Sequence, residues 1–207
     1  MSFKTAQEEF WAGEFGDEYT DRNVGLGWIA ANTALFSKVL ARTTAVNSVV
    51  EFGANLGLNL QAISTLRPEA ELAAVEINGA AADKLRSWGK AEVFEQSILE
   101  FQPSRAYDLS LIKGVLIHIN PDELPTVYDK LYASSGKYIC TVEYYNPSPV
   151  AIPYRGHSDR LFKRDFAGEI LDRFPDLKLV DYGFCWHRDP NFPQDDVTWF
   201  LLEKTGA

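Results

Sequence analysis

The sequence predicts an α/β fold: a seven-stranded, mainly parallel sheet with helices on both faces and a C-terminal antiparallel hairpin. Two observations lead there. From about residue 48 to residue 173, short apolar runs alternate with segments of helical periodicity. Strands separated by helices pair in parallel and are covered on both faces. The last two apolar runs, 177–187 and 196–203, are joined by Arg188-Asp189-Pro190-Asn191-Phe192-Pro193 with no helix between them, which predicts a hairpin.

Along the chain, the first 25 residues are aromatic and acidic, centred on Phe10-Trp11-Ala12-Gly13-Glu14-Phe15-Gly16-Asp17-Glu18-Tyr19, with little clean periodicity. Residues 26–42 read as a helix, with Trp28, Ile29, Leu35, Phe36, Val39 and Leu40 as apolar contacts. Strands are expected near 48–53, 71–77, 91–97, 107–114, 137–145, 177–187 and 196–203. Helices are expected near 57–66, 79–89, 121–134 and 159–173. The helix at 121 has a clear start: Asn120 as N-cap, Pro121 in the first turn and Glu123 three residues after the cap. Ser158 is the expected cap of the helix at 159. Residues 1–45 are read as a helical lid or cap segment and 46–207 as the sheet domain, the whole forming one compact domain. There is no internal repeat and no low-complexity stretch.

Composition narrows the function. A formal net charge of −9 argues against binding to nucleic acid backbones or anionic membranes. No stretch approaches the roughly 20 apolar residues of a membrane span, and Met1-Ser2-Phe3-Lys4 opens no apolar signal region, so a cytoplasmic protein is expected. Cys140 and Cys185 each lie in an apolar run and are expected as buried free thiols. His118, His157 and His187 are scattered, and no His or Cys pair has zinc spacing, so no metal is expected.

The most informative stretch is Val49-Val50-Glu51-Phe52-Gly53-Ala54-Asn55-Leu56-Gly57, followed by Glu76 behind Ala73-Ala74-Val75. An apolar strand enters a glycine turn, and a carboxylate closes the next strand. Such turns let backbone approach a nucleoside while the carboxylate accepts from ribose hydroxyls. The form Glu-x-Gly-x-Asn-x-Gly is not the dinucleotide fingerprint. It resembles the S-adenosylmethionine site of class I methyltransferases, whose Rossmann-like sheet also ends in a hairpin. That resemblance implies that Glu51, Gly53, Asn55 and Gly57 bound the methionine and ribose, and that Glu76 binds the ribose hydroxyls. Methyltransferases commonly carry an acid at the end of the third strand to accept from the adenine amino group. Ser97 stands there, so serine plus backbone would contact adenine, with Ile98 on its face.

The ends of the fourth and fifth strands face the acceptor in this fold. Lys113 and His118 are candidates for the active-site rim, Lys113 toward the cofactor and His118 as a base, since histidine titrates near neutrality. A packing or capping role for His118 is the plain alternative. Tyr144, Tyr145 and Asn146, beside Glu143, suit a polar, sugar-sized acceptor. Arg155, Arg160, Lys163 and Arg164 cluster in an acidic chain, near the expected start of a helix, where dipole logic disfavours cations. Arg155 is the candidate anchor for an anionic acceptor and His157 a second candidate base; a solvated basic face paired with Asp159, Asp165 and Glu169 is the alternative. In the N-terminal segment, Trp11, Phe15, Tyr19, Arg22 and Asn23 are candidate lid residues, with Tyr19 and Arg22 toward the cofactor.

Longer motifs carry a narrower resemblance. These are Phe10 to Tyr19, Lys113-Gly114-Val115-Leu116-Ile117-His118-Ile119-Asn120-Pro121, Glu143-Tyr144-Tyr145-Asn146-Pro147, Pro153-Tyr154-Arg155-Gly156-His157-Ser158 and Phe162-Lys163-Arg164-Asp165-Phe166. With them the chain resembles the bacterial pseudaminic acid biosynthesis-associated methylases. The resemblance implies a methyltransferase that uses S-adenosyl-L-methionine, yields S-adenosyl-L-homocysteine, and modifies a nonulosonic acid, nucleotide sugar or surface-glycan precursor. Transfer to oxygen is slightly favoured over nitrogen, because histidine bases suit a hydroxyl. The expected partners are a small acceptor and a second copy in a homodimer, without nucleic acid or membrane. A non-catalytic protein holding S-adenosylmethionine or its product for a sugar pathway is the alternative, and a nucleotide-sugar oxidoreductase a more distant one.

Overall fold

The computed structural model describes residues 3–22, 25–156 and 160–206, with backbone alone for Asp21 and Arg22. Two short helices open the chain, α1 (Ala6–Ala12) and α2 (Glu14–Arg22), followed by the longer α3 (Leu26–Leu40). Then come β1 (Ser48–Phe52), α4 (Leu58–Leu66), β2 (Glu71–Glu76), α5 (Gly79–Trp88), β3 (Glu92–Glu95) and β4 (Tyr107–Lys113). Two single-turn 3₁₀ segments, Leu116–His118 and Pro121–Glu123, lead into α6 (Leu124–Ser134) and β5 (Ser135–Glu143). A small antiparallel pair, β6 (Val150–Ala151) with β7 (Phe162–Lys163), precedes α7 (Phe166–Arg173), β8 (Leu177–Cys185) and β9 (Val197–Lys204).

The other seven strands form one sheet in the order β3-β2-β1-β4-β5-β9-β8. The first five pair in parallel, and β9 inserts antiparallel between β5 and β8. The expected sheet and hairpin are therefore present. Successive side chains of a strand point to opposite faces, and the core divides accordingly. Val49, Ala74, Leu111 and Cys140 pack with Phe36 and Val39 of α3, Leu60 and Ile63 of α4 and Leu85 of α5. Val50, Val75, Ile112 and Ile139 pack with Val127 and Leu131 of α6 and Ile170 of α7.

The 1–45 segment divides in space. Phe36 and Val39 are fully buried beside Val49. Each such side chain contributes about 1.5–3 kcal/mol by leaving water, so α3 is part of the helical layer. Helices α1 and α2 instead reach the loops at the carboxyl end of the sheet.

The basic stretch near 160 folds differently from the expectation of one helix over 159–173. The helix starts at Phe166, capped by Asp165, whose carboxylate accepts from Gly168 N at 2.9 Å. The residues before it form β7 instead, because Ala151 and Val150 offer Phe162 and Lys163 a strand partner. Ser158, the expected cap, lies outside the described residues. The cations still stand near the helix start, Arg164 just before the cap, but Asp165 at the cap and Glu169 in the first turn offset them. Arg164 pairs with Glu169 at 2.7 Å, and Lys163 Nζ lies over the Tyr144 ring at 4.6 Å. The helix expected from 121 begins as a 3₁₀ turn in which Asn120 Oδ1 accepts from Asp122 N. Cys140 is buried and Cys185 half-buried, both as free thiols. Among the described residues, no helix is long and apolar enough to cross a membrane.

Candidate functional site

A cavity of about 280 Å³ opens at the carboxyl ends of β1, β2 and β4, roofed by α1 and α2. In an α/β sheet this is where the strand order turns and ligands bind. Its floor is the loop after β1. Gly53 has φ +72°, and a Cβ there would stand 2.6 Å from Val115 Cγ2 of the loop after β4. Only glycine permits that backbone shape and that approach. Asn55 follows with φ +48°. Its amide donates to Glu76 Oε2 at 2.6 Å, and Asn78 N donates to Glu76 Oε1 at 2.8 Å. One carboxylate at the end of β2 thus gathers two loops. Glu76 is only 7% exposed, and desolvation raises its pKa against the lowering effect of the amides. The Ile77 amide is a third donor, and the carboxylate keeps acceptor capacity beyond these bonds.

Among the predicted site residues, Tyr19, Gly53, Asn55, Glu76, Ser97, Ile98, Lys113, His118 and Tyr144 line this cavity. Gly57 does not. It starts α4 in a left-handed conformation, and a Cβ there would stand 2.2 Å from Leu85 Cδ1. Its role is to seat α4 against α5. Glu51 lies beneath the floor, fully buried. Its Oε1 accepts from Asn59 Nδ2, Oε2 has no partner, and burial pushes its pKa up to about 8. Lys113 carries the opposite effect of burial, with a lowered pKa, and feels Glu51, Asp195 and Glu143.

The acceptor side is only partly as expected. Tyr145 is 45% exposed and packs toward Phe200 at 6.1 Å, while Asn146 Nδ2 donates to Ser148 O within its own turn. Arg155 is exposed, its guanidinium 5.8 Å from the Phe15 ring and 5.7 Å from Tyr154. These three residues therefore stand outside the cavity lining. Glu143 is buried and accepts from Val115 N and Leu116 N at 3.0 Å each, so it fixes the loop that carries His118. His157, Asn23 and the Arg22 side chain lie outside the described residues.

His118 ends the first 3₁₀ turn. Its Nδ1 lies 2.6 Å from the Arg160 carbonyl, and its ring packs 4.6 Å from Trp11 and 5.4 Å from Tyr154. A carbonyl oxygen only accepts, so Nδ1 carries the proton and Nε2 keeps the lone pair. Desolvation lowers the pKa to about 4. The side chain is a neutral acceptor at physiological pH.

Trp11, one of the expected lid residues, lines the cavity with its indole Nε1 buried and without a partner. Other residues in and beside the cavity were missed from sequence. Asn59, from α4, also lines the cavity, and its Oδ1 is likewise without a partner. Glu8 reaches Ser97, Asp17 accepts from Asn78 Nδ2 at 2.8 Å, and Thr20 Oγ1 donates to Asn55 Oδ1 at 3.1 Å. Asp195 enters from the β8–β9 connection. One signal was available: Thr5-Ala6-Gln7-Glu8 is a capping box, and the structure shows both of its bonds. The others join positions 35 to 89 residues apart.

No protein-family model matches the chain, and no curated protein sequence does. Solved structures match its fold. The magnesium protoporphyrin IX methyltransferase ChlM of Synechocystis PCC 6803, with bound S-adenosylhomocysteine, superposes with a TM-score of 0.70 at 12% identity, over 98% of this chain and 100% of that one. A S-adenosylmethionine-dependent methyltransferase of Clostridium acetobutylicum ATCC 824 gives 0.64 at 11% identity, over 93% and 97%. The plantazolicin methyltransferase BpumL, in complex with a pentazolic desmethyl analogue and S-adenosylhomocysteine, gives 0.65 at 16% identity, over 97% and 95%. At such identities the likeness is one of fold, and the fold is that of the Rossmann-like class I methyltransferases.

Proposed function

We propose that this chain is a S-adenosylmethionine-dependent methyltransferase acting on a hydroxyl of a small acceptor. The observation that carries the reading is the Glu76 carboxylate, held by two loop amides at the edge of a cavity floored by the Gly53 turn. It supports a ligand with a vicinal diol, as ribose has. Charge supports the same ligand: Glu8, Glu76 and Asp195 line the cavity with Lys113, favouring a cation that also bears a carboxylate. The residues present fit the group. Backbone closes on the Gly53 turn where a side chain would fill the floor. The orphaned Asn59 Oδ1 is a ready acceptor for an ammonium. Lys113 would pair with the carboxylate, Glu76 would hold the ribose, and Ser97 and Ile98 would stand at the adenine.

When bound, the cofactor supplies an activated methyl group on a sulfonium. The chain's own part is then mostly positioning. Helices α1 and α2 exclude water, and Trp11, Tyr144 and Tyr154 give the acceptor aromatic walls. His118 Nε2, neutral and oriented by the Arg160 carbonyl, takes the hydroxyl proton. The sequence resemblance directs attention to nonulosonic acids and nucleotide sugars as acceptors. Arg155, exposed over Phe15, would meet an anionic group only at the rim. A lid formed by α1 and α2, rather than by all of 1–45, is part of this reading.

Calorimetric titration with S-adenosylmethionine, S-adenosylhomocysteine and NAD tests it. Saturable binding of both adenosyl ligands without NAD is the expected result. NAD binding, or no binding of either adenosyl ligand, would overturn it. Given binding, methyl transfer to a panel of sugar acids and nucleotide sugars follows, with His118→Gln expected to lower kcat by about 10²–10⁴-fold and to leave cofactor affinity in place.

A further inference from the structure

We infer that Glu8, on the N-terminal helix α1, is the acceptor for the adenine amino group of the cofactor, a role that the end of β3 cannot fill in this chain. The inference rests on the S-adenosylmethionine reading above. Beyond Glu76 the cavity reaches the end of β3, where Ile77, Ile98 and Leu99 make apolar lining, and the start of α1 with its cap adds Thr5, Gln7 and Glu8, the last in contact with Ser97. A purine fits such a slot, and its amino group needs an acceptor. Ser97 is poorly placed to provide one. Its hydroxyl proton goes to Glu8 Oε1, and Leu99 N donates to its oxygen at 3.0 Å.

Glu8 is suited in three ways. It is only 8% exposed, and it lines the cavity. Its two oxygens have separate partners. Oε2 accepts from Lys4 N and Thr5 N, each at 2.8 Å, and from Thr5 Oγ1 at 3.3 Å, which fixes the carboxylate in place. Oε1 receives the Ser97 hydroxyl and has a second lone pair. A capping box needs only one of these oxygens; the reach of the other to a residue 89 positions away is extra. The consequence is a coupling: the roof supplies a cofactor contact, so the adenine is recognised only when α1 is seated.

Glu8→Gln separates recognition from a mere clip. The two backbone amides hold the glutamine oxygen at the Oε2 place, which turns its NH2 toward Ser97 and the base. An acceptor becomes a donor. The probes are S-adenosylhomocysteine and S-inosylhomocysteine, which carries an oxygen acceptor in place of the amino group. Wild type is expected to favour the adenosyl ligand by about 10- to 100-fold, the range of a hydrogen bond to a charged group, and Glu8→Gln to favour the inosyl one. Ser97→Ala removes the clip while keeping the carboxylate, so its adenosyl preference should persist. If Glu8→Gln weakens both ligands equally, or wild type binds both alike, the Glu8 assignment falls and the cofactor reading stands. If wild type binds neither, both fall.

Discussion

Two side chains concentrate the chemistry, and each makes a distinct prediction. Glu76 accepts from Asn55 N and Asn78 N besides facing the cavity. Glu76→Ala should therefore weaken S-adenosylhomocysteine binding by about 1–3 kcal/mol, and also lower the melting temperature of the free protein, because the Asn55 amide and the buried Asn78 amide lose their acceptor. Binding unchanged within error would remove the central assignment. His118 predicts a pH profile. Its pKa lies at about 4, below the ordinary 6.5, because burial disfavours the cation. If it is the base, the acid limb of kcat falls near pH 4, not near 6.5; a limb at 6.5 that vanishes in His118→Gln would contradict the geometry. The same shift stabilises the fold above pH 6.5, and that contribution is lost as pH falls toward 4, since only the unfolded chain binds the proton in between.

Among the elements, α1 and α2 set the cavity's accessibility. They are tied to the three loops after β1, β2 and β3 by Thr20 to Asn55, Asn78 to Asp17 and Ser97 to Glu8. Gly16 makes the fit possible: a Cβ there would stand 2.0 Å from Trp11 O and 2.8 Å from Asn78 Nδ2. Gly16→Ala should raise the intrinsic helix preference of α2 yet push the roof from the sheet. The expected readout is faster amide exchange in α1 and α2 with protection of β1 and β4 unchanged; unaltered exchange in α1 and α2 would show that the roof is held elsewhere. These helices were the least legible part of the sequence. The sheet could be read because each strand is a short apolar run and each turn carries Gly, Pro or Asp. Gly53, Glu76 and Ser97 could be placed because they sit at strand ends. Helices α1 and α2 owe their position to contacts with distant loops, and no local periodicity records those. The start of α7 was misplaced for a related reason: Phe162 and Lys163 take a strand partner that only the folded chain brings near.

The molecule as a whole arranges buried acid beneath a site suited to a cation. Burial raises Glu51 to about 8 and Glu143 to about 7, and Glu76 upward as well. A raised carboxyl stabilises the fold below its unfolded pKa, and that stability is lost as pH rises through the folded value. Between pH 4.5 and 8 the ligand-free protein should therefore lose stability from these groups, with His118 opposing only below 6.5. The lowered Lys113 acts in the opposite direction at higher pH, up to its ordinary 10.5. Glu51→Gln keeps the neutral form at all pH, so it should flatten the decline in melting temperature between pH 6 and 8; parallel curves would place the titration on another group. The same arrangement predicts that binding and proton release are linked. A cation entering the cavity favours the ionised form of nearby carboxyls and lowers their pKa. At pH 7 Glu51, and in part Glu143, hold protons in the free protein, and the complex must shed part of them. Calorimetric heats for S-adenosylmethionine should then differ between phosphate and Tris, buffers with small and large ionisation enthalpies, and the difference should shrink in Glu51→Gln. S-adenosylhomocysteine lacks the sulfonium charge and should release fewer protons. Equal heats in both buffers for both ligands would mean that the buried acids stay protonated in the complex, leaving their neutral forms to shape the floor and Glu8, Glu76 and Asp195 at the cavity wall to balance the charge.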